Sequence, residues 1–310
     1  MQFFEYMLAA FWQVAILAVM VGVGYACDKF GLFTEKTAKA CNDLLFYIIT
    51  PAVIINSFLN VEFTKENGLS YLIFFGIIVA LHLLGILVTK PLFRGAGEHR
   101  SIFQYATMFG NMGYMGLPLA KAVAGDIGVF YCSAAVVVFN IFSFTYGIHL
   151  MDREKGKMQF KKLLINPGTI GIVIGLPLFL LNVKLPAVFA TPIASLGSMN
   201  TPLAMLMFGT YLANTDLPAM FRQKENYGVA LIKLVVLPLV AILVLRLCGV
   251  QGPMLVTAAV CCGAPTASNT AMFAAKYGRD TGVASKVSGL VSVMSIITLS
   301  ACIALADVLG

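Results

Sequence analysis

Residues 105–126 read YATMFGNMGYMGLPLAKAVAGD, and residues 258–278 read AAVCCGAPTASNTAMFAAKYG. Both are apolar enough for a membrane interior, yet neither reads as an unbroken helix. In the first, Gly110, Gly113 and Gly116 stand three apart and Pro118 follows. Inside a helix, glycine costs about 1 kcal/mol relative to alanine and proline about 3. Three glycines and a proline so close together predict a break. In the second stretch Gly263 and Pro265 predict another, with Thr266, Ser268, Asn269 and Thr270 crowded beside it.

A broken helix in lipid must hide its freed backbone groups in protein or in a wet cavity, since each unsatisfied group costs several kcal/mol there. Each break sets the carbonyl end of one half-helix beside the amide end of the next. Carbonyl ends suit a cation and amide ends an anion. Asn111, Gly113, Tyr114, Pro118, Gly263, Pro265, Thr266, Ser268 and Asn269 are therefore candidate substrate-binding residues, and Asn140, with Ser143, is a further candidate from the fifth span. A blander reading stands beside this one. Glycine at every third position also permits close helix packing, and proline kinks are common in membrane helices. Two breaks at matched places favour a substrate pathway.

The surrounding chain decides the class. Of 310 residues, 59% are hydrophobic and 11% charged, against about 25% charged in a soluble domain; mean hydropathy is +0.89. Apolar runs recur over 6–27, 38–59, 70–93, 101–123, 127–150, 163–182, 192–214, 227–248, 252–276 and 281–306. Each is long enough to cross a hydrocarbon core of about 30 Å. Glu5 is the sole charge before Asp28, so no basic region precedes the first run; it is expected to be a retained helix and not a cleaved leader.

The charge of +7 needs no nucleic-acid partner. Lysine and arginine collect on the cytoplasmic side of membrane proteins. Odd connections hold sixteen basic residues, among them Lys29, Lys36, Arg94, Arg153, Lys155, Arg222 and Arg279; even connections hold Lys65, Lys121, Lys184 and Arg246. The split places odd connections, including the polar segment 151–162, in the cytoplasm and both termini outside. Five spans precede that segment and five follow, so two similar halves would insert oppositely, as an inverted repeat. The predicted fold is an all-α polytopic membrane protein of ten transmembrane helices in a five-plus-five inverted repeat, residues 1–150 and 163–310. Thr50-Pro51 and Thr201-Pro202 correspond, as do Pro118 and Pro265, and Lys121 with Asp126 against Lys276 with Asp280.

These residues, together with Gly22-x-Gly24-Tyr25, Lys29-x-Gly31, Asn111-x-Gly113-x-x-Gly116-x-Pro118 and Gly263-Ala264-Pro265, resemble the auxin efflux carrier family. That family includes bacterial malate or malonate permease-like carriers and the plant PIN transporters. The resemblance spans essentially the whole chain. It implies two crossing broken helices, the fourth and ninth; a mobile transport domain of helices 3 to 5 and 8 to 10; and a scaffold of helices 1, 2, 6 and 7, often dimeric. It implies an organic anion bound at the crossover, with Asn111, Pro118 and Pro265 in the binding region. The plant members' long central cytosolic loop has no counterpart here.

Other residues carry open readings. Asp43, about one turn into the second span, is either a helix-capping carboxylate or a coupling group. His82 is either a hydrogen-bonded core residue or a proton relay. Lys233 is expected to snorkel to the cytoplasmic surface, and Asn56 and Asn200 to make packing hydrogen bonds. The cysteines 27, 41, 132, 248, 261, 262 and 302 show no ligand-like spacing and are expected to be reduced and buried. No nucleotide loop, metal cluster or catalytic triad is legible, so no enzyme and no cofactor is expected, only proton or Na⁺ coupling. The expected function is gradient-driven transport of a small organic anion, a carboxylate such as malate or an auxin-like acid, by elevator-type motion in a plasma (inner) membrane. The alternatives are a sodium-coupled symporter of the bile-acid type and a membrane sensor that binds a ligand without moving it.

Overall fold

The computed structural model describes residues 2–152, 167–214, 217–267 and 269–310. The segment 153–162 and Ser268, both named above, lie outside them. The described residues are helical, and the strand-like pairing recorded among them is one isolated bridge. Five helical runs are long and apolar enough to cross a membrane: Lys36–Asn60, Lys65–Thr89, Met112–Met151, Lys224–Leu247 and Thr281–Leu309. The helix Gln2–Lys29 has 28 residues, about 42 Å at 1.5 Å per residue. Large apolar side chains face outward along these helices, including Leu247 at 88% and Ile297 at 78% exposure. That surface suits lipid, and the protein is a multi-pass membrane protein.

Local chemistry sets the ends. The Thr64 side chain accepts the Asn67 amide at 3.1 Å and starts Lys65–Thr89, five residues before the apolar run begins. The Asp280 side chain accepts the Val283 amide at 3.0 Å and starts Thr281–Leu309. Leu117–Phe142 turns sharply at Gly125, whose φ of 64° and ψ of −148° lie outside the helical region; this bend is the predicted boundary between the fourth and fifth runs.

Prolines shape the interior. Pro51, Pro118 and Pro238 each follow a π-helical turn, at Leu45–Ile49, Met112–Gly116 and Ile232–Val236. A proline ring collides with the carbonyl four residues back. Widening the preceding turn to five-residue hydrogen bonds relieves that clash, as in the bond from the Gly116 amide to the Asn111 carbonyl at 3.0 Å.

Glycines set the closest approaches. A Cβ on Gly24 would lie 2.2 Å from the Leu206 carbonyl oxygen, and one on Gly209 would lie 2.1 Å from that of Val21. The backbones of Gln2–Lys29 and Asn200–Ala213 therefore touch. Gln2–Lys29 also packs on Thr281–Leu309, and Thr50–Asn60 on Pro167–Leu180 and Ala187–Ser198. Leu117–Phe142 packs on Lys65–Thr89 and Gly252–Gly263.

Candidate functional site

Both predicted breaks form, and they meet. Arg100–Met108 ends at Phe109, which is extended, and Gly252–Gly263 ends at Ala264. The stretches 109–111 and 265–267 then run antiparallel. The Asn111 amide donates to the Pro265 carbonyl at 2.7 Å, and the Ala267 amide donates to the Phe109 carbonyl at 2.9 Å. The Thr266 hydroxyl donates to the Ala106 carbonyl at 2.9 Å. Backbone groups freed by one break thus satisfy those freed by the other, as burial in a membrane demands. Beyond the crossing, the Asn111 side chain accepts the Tyr114 amide at 3.3 Å and caps the next half-helix; the other resumes at Asn269.

A cavity of about 340 Å³ opens beside Pro118, within the usual range for small-molecule sites. Pro118, Lys121 and Asp126 form one wall; Asn56, Asn200 and Thr201 form the other. Asn200 is 2% exposed, and its Oδ1 has no hydrogen-bond partner. An unsatisfied buried carbonyl costs about 1–3 kcal/mol, so this atom is primed for a ligand or water. At the mouth, Lys121 Nζ bonds Asp126 Oδ1, with both side chains partly exposed. Asn56 and Asn200, expected to make packing hydrogen bonds, both line the cavity, and Asn200 Oδ1 makes none.

Tyr114 marks a second polar patch. Its hydroxyl bonds the Asn42 side chain, with Asp43, Tyr47 and Tyr211 around it. Asp43 is exposed. The capping reading of Asp43 fails: its helix starts at Glu35 after the N-cap residue Thr34, so the carboxylate stands two turns in, beyond the first turn where the dipole acts. A Cβ on Gly113 would meet nothing within 4 Å, so the backbone there is open to approach.

Other candidates make contacts inside the protein. Asn269 hydrogen-bonds Tyr105, whose hydroxyl also meets Ser143 Oγ at 2.7 Å. Asn140 is buried one turn before Ser143, and the Ser143 amide donates to its carbonyl. A Cβ on Gly263 would lie 2.8 Å from the Leu299 side chain. His82 Nδ1 donates to the Ile78 carbonyl at 2.8 Å and the ring stacks on Phe142, while Nε2 has no partner.

Lys233 corrects its expectation most sharply. It is 2% exposed and does not reach the surface. The π turn Ile232–Val236 carries it, and it lines a second cavity, of about 120 Å³, behind the crossing with His82, Met108, Met112, Cys261 and Cys262. The cysteines form no disulfide; Cys132, Cys261 and Cys302 are buried, and the Cys261 thiol donates to Cys132 Sγ at 4.0 Å. Cys248 is exposed, against expectation, because it follows the last turn of Leu237–Leu247. Among the described residues no group of three or more His, Cys, Asp or Glu is placed to hold a metal. Lys121, Asn200 and Lys233 were not singled out as site residues from sequence. For Lys233 the sequence offers one signal, a lysine seven residues into an apolar run.

Comparison with known proteins bears on this geometry. The sequence profile of the family described as Membrane transport protein matches residues 9–162 and 153–303. An uncharacterized transporter of Methanocaldococcus jannaschii is 26% identical over 213 residues, covering 64% of this chain and 68% of that protein. With a profile covering nearly all of the sequence, the chain belongs to the membrane transport protein family of auxin efflux carriers and is a membrane transporter.

Proposed function

We propose that this protein is a secondary active carrier of a small organic anion, working by elevator-type alternating access. The observation that carries the reading is the pairing of residues 109–111 with 265–267 beside a cavity walled by two different sets of helices. The half-helix that resumes at Met112 carries Pro118 and Lys121 to one wall of this cavity. Lys121 and the neutral groups of Asn56 and Asn200 make it a setting for a carboxylate or dicarboxylate such as malate, or an auxin-like acid.

The reading carries a fold with it. Ten spans form a five-plus-five inverted repeat. Helices from residues 2–60 and 167–213 form a scaffold, dimeric through that scaffold, and the remainder carry the crossing as a moving body. Both termini lie outside an inner membrane, following the lysine and arginine split. Pro118, on the moving side, slides past Asn56 and Asn200 on the fixed side. Asp43, facing Tyr114 across the same boundary, is the proton-coupling candidate.

Reconstitution in proteoliposomes tests this. Gradient-driven uptake of labelled malate, malonate or indole acetate is expected, lost in Asn111→Ala and Pro265→Ala. No flux for any member of a broad organic-acid panel sinks the proposal. Saturable binding without flux would favour the sensor reading.

A further inference from the structure

The stretch Ser198-Met199-Asn200-Thr201-Pro202 interrupts the seventh apolar run. One helix, Ala187–Ser198, ends there, and the next, Asn200–Ala213, begins. Pro202 has no N–H, so the Ser198 carbonyl lacks the amide four residues on that a regular helix supplies. Gly197 seats this break against Thr50–Asn60: a Cβ on it would lie 3.2 Å from the Val53 Cα. Backbone packs on backbone here, and Asn200, 2% exposed, is held inside the wall that results.

That wall meets the Pro118 cavity through Ser198, Asn200 and Thr201. Among the described residues nothing donates to Asn200 Oδ1. The Ser198 hydroxyl cannot serve it, because it donates to the Ser195 carbonyl at 2.7 Å. A carbonyl oxygen accepts and never donates. The proton missing from this wall must therefore come from whatever fills the cavity. On the opposite wall stand Lys121 and Asp126, the charged pair among the described residues that line it.

A carboxylate is acceptor-only. Set against Asn200 Oδ1 it would leave that atom unpaired and add a second acceptor beside it. A hydroxyl or an N–H would satisfy it. We infer that Asn200 is the specificity-determining residue of this cavity: it selects organic anions that carry a hydroxyl or N–H besides the carboxylate. This rests on the carrier reading and names its substrate class. The carboxylate lies toward Lys121, and the donor reaches Asn200 on the far wall. An analogue of equal size and charge without the donor displaces any water at Oδ1 and puts nothing in its place. Sites that hydrogen-bond a substrate hydroxyl or N–H discriminate strongly against the analogue lacking it, for this reason.

The test measures dissociation constants from ligand-induced shifts of the thermal midpoint of the purified full chain in detergent. The probes are matched pairs that differ in the donor: malate against succinate, hydroxymalonate against malonate, and indole acetate against naphthalene acetate. In every pair that binds, the donor-bearing acid is expected to bind wild type about tenfold to a hundredfold more tightly. Asn200→Leu is expected to bring the two members of a pair within about twofold of each other. The loss should fall on the donor-bearing acid and spare its partner. Asn200→Ser, which keeps an acceptor, is expected to retain part of the preference. The wild-type ratios need no variant, so they decide the matter even where Asn200→Leu does not fold.

Equal affinities within the pairs in wild type overturn the inference, and would mean that a water satisfies Asn200. A preference that survives Asn200→Leu unchanged overturns it too, by placing the discrimination elsewhere. Binding without preference leaves the carrier reading standing and removes only the role of Asn200. If no acid of any pair binds and none is transported, the carrier reading fails and the inference falls with it.

Discussion

The amide of Asn111 donates to the carbonyl of Pro265 across 2.7 Å, joining residues 154 positions apart in sequence at the point where both helices break. Neither break is stable alone in lipid, because each leaves polar backbone without partners. Each is the other's solution. The same pairing fixes where the four half-helix ends point, and so fixes the electrostatics of the site.

Substitutions at the crossing should separate transport from stability. Pro265→Ala removes the residue that forbids a continuous helix, which costs about 3 kcal/mol in a helix interior. The variant is expected to fold with an unchanged or higher thermal midpoint and to lose flux at least tenfold. Asn111→Ala loses the side-chain cap on the Tyr114 amide, worth about 1 kcal/mol, and is expected to lose flux together with a few degrees of midpoint. A Pro265→Ala protein with full flux would show that the break is only a packing device.

The contact between Gln2–Lys29 and Asn200–Ala213 gives a stability prediction with an internal control. A methyl on Gly209 would lie 2.1 Å from the Val21 carbonyl oxygen and 2.5 Å from the Tyr25 amide nitrogen. Both are backbone atoms, which cannot rotate away. Gly209→Ala and Gly24→Ala must separate the helices, and overpacking of this kind costs about 1–3 kcal/mol or more. Gly22, in the same helix, has nothing within 4 Å of a Cβ. Gly22→Ala is expected to leave the midpoint unchanged or raise it slightly, since alanine gains about 0.5–1 kcal/mol over glycine in a helix. Thermal unfolding of the three variants side by side checks the ordering.

These features were unequally legible in the sequence. The breaks could be read because glycine and proline act on their own backbone, and Gly110, Pro118, Gly263 and Pro265 declare themselves locally. Their partners could not be read: the match of halves set Pro118 against Pro265, whereas the backbone pairs 109–111 with 265–267 and Pro118 lies in the helix that resumes after the break. Lys233 could not be placed, because its direction depends on the π turn at Ile232–Val236, which adds a residue to the turn and rotates everything before Pro238. Of the two readings of Asp43, capping fails for a simpler reason: the polar turn Glu35-Lys36-Thr37 is already helical, so the helix starts earlier than its apolar run. Asn200 looked like a packing residue because a side chain's missing partner is invisible until its neighbours are in place.

Asp280 links stability to pH. Its carboxyl is held below the usual 3.8, chiefly by the Val283 amide it accepts, with the Gly282 amide, His99 and Lys286 adding to the effect. A carboxyl whose folded value lies below its unfolded value contributes stability that is present above the unfolded value and lost as pH falls through the folded one. Asp280→Asn keeps a capping side chain but no charge. At neutral pH its midpoint is expected to lie slightly below wild type, with the gap closing as pH drops below about 4. Asp280→Ala loses the cap as well, about 1 kcal/mol, and is expected to stay lower throughout. A gap between wild type and Asp280→Asn that widens on acidification would refute the assignment.

The mouth of the Pro118 cavity makes a prediction about sign. Lys121 and Asp126 pair there, with side chains 46% and 33% exposed. Pairs this exposed contribute about 0–1 kcal/mol, so neither Lys121→Gln nor Asp126→Asn is expected to unfold the protein. Their effect on an incoming anion is the larger matter, because charges at a cleft mouth act at a distance. Lys121→Gln removes attraction and exposes the Asp126 carboxylate; KM for the transported anion is expected to rise roughly threefold to tenfold. Asp126→Asn frees Lys121 from its partner, and KM is expected to fall. Opposite shifts from two members of one ion pair cannot come from losing the pair itself, which both variants share. Both shifts should shrink toward zero near 1 M salt, where the Debye length is about 3 Å, with the maximal rate unchanged. Initial rates against substrate concentration, at low and high salt, decide it. KM moving the same way in both variants would mean that the pair serves the shape of the mouth and not its charge.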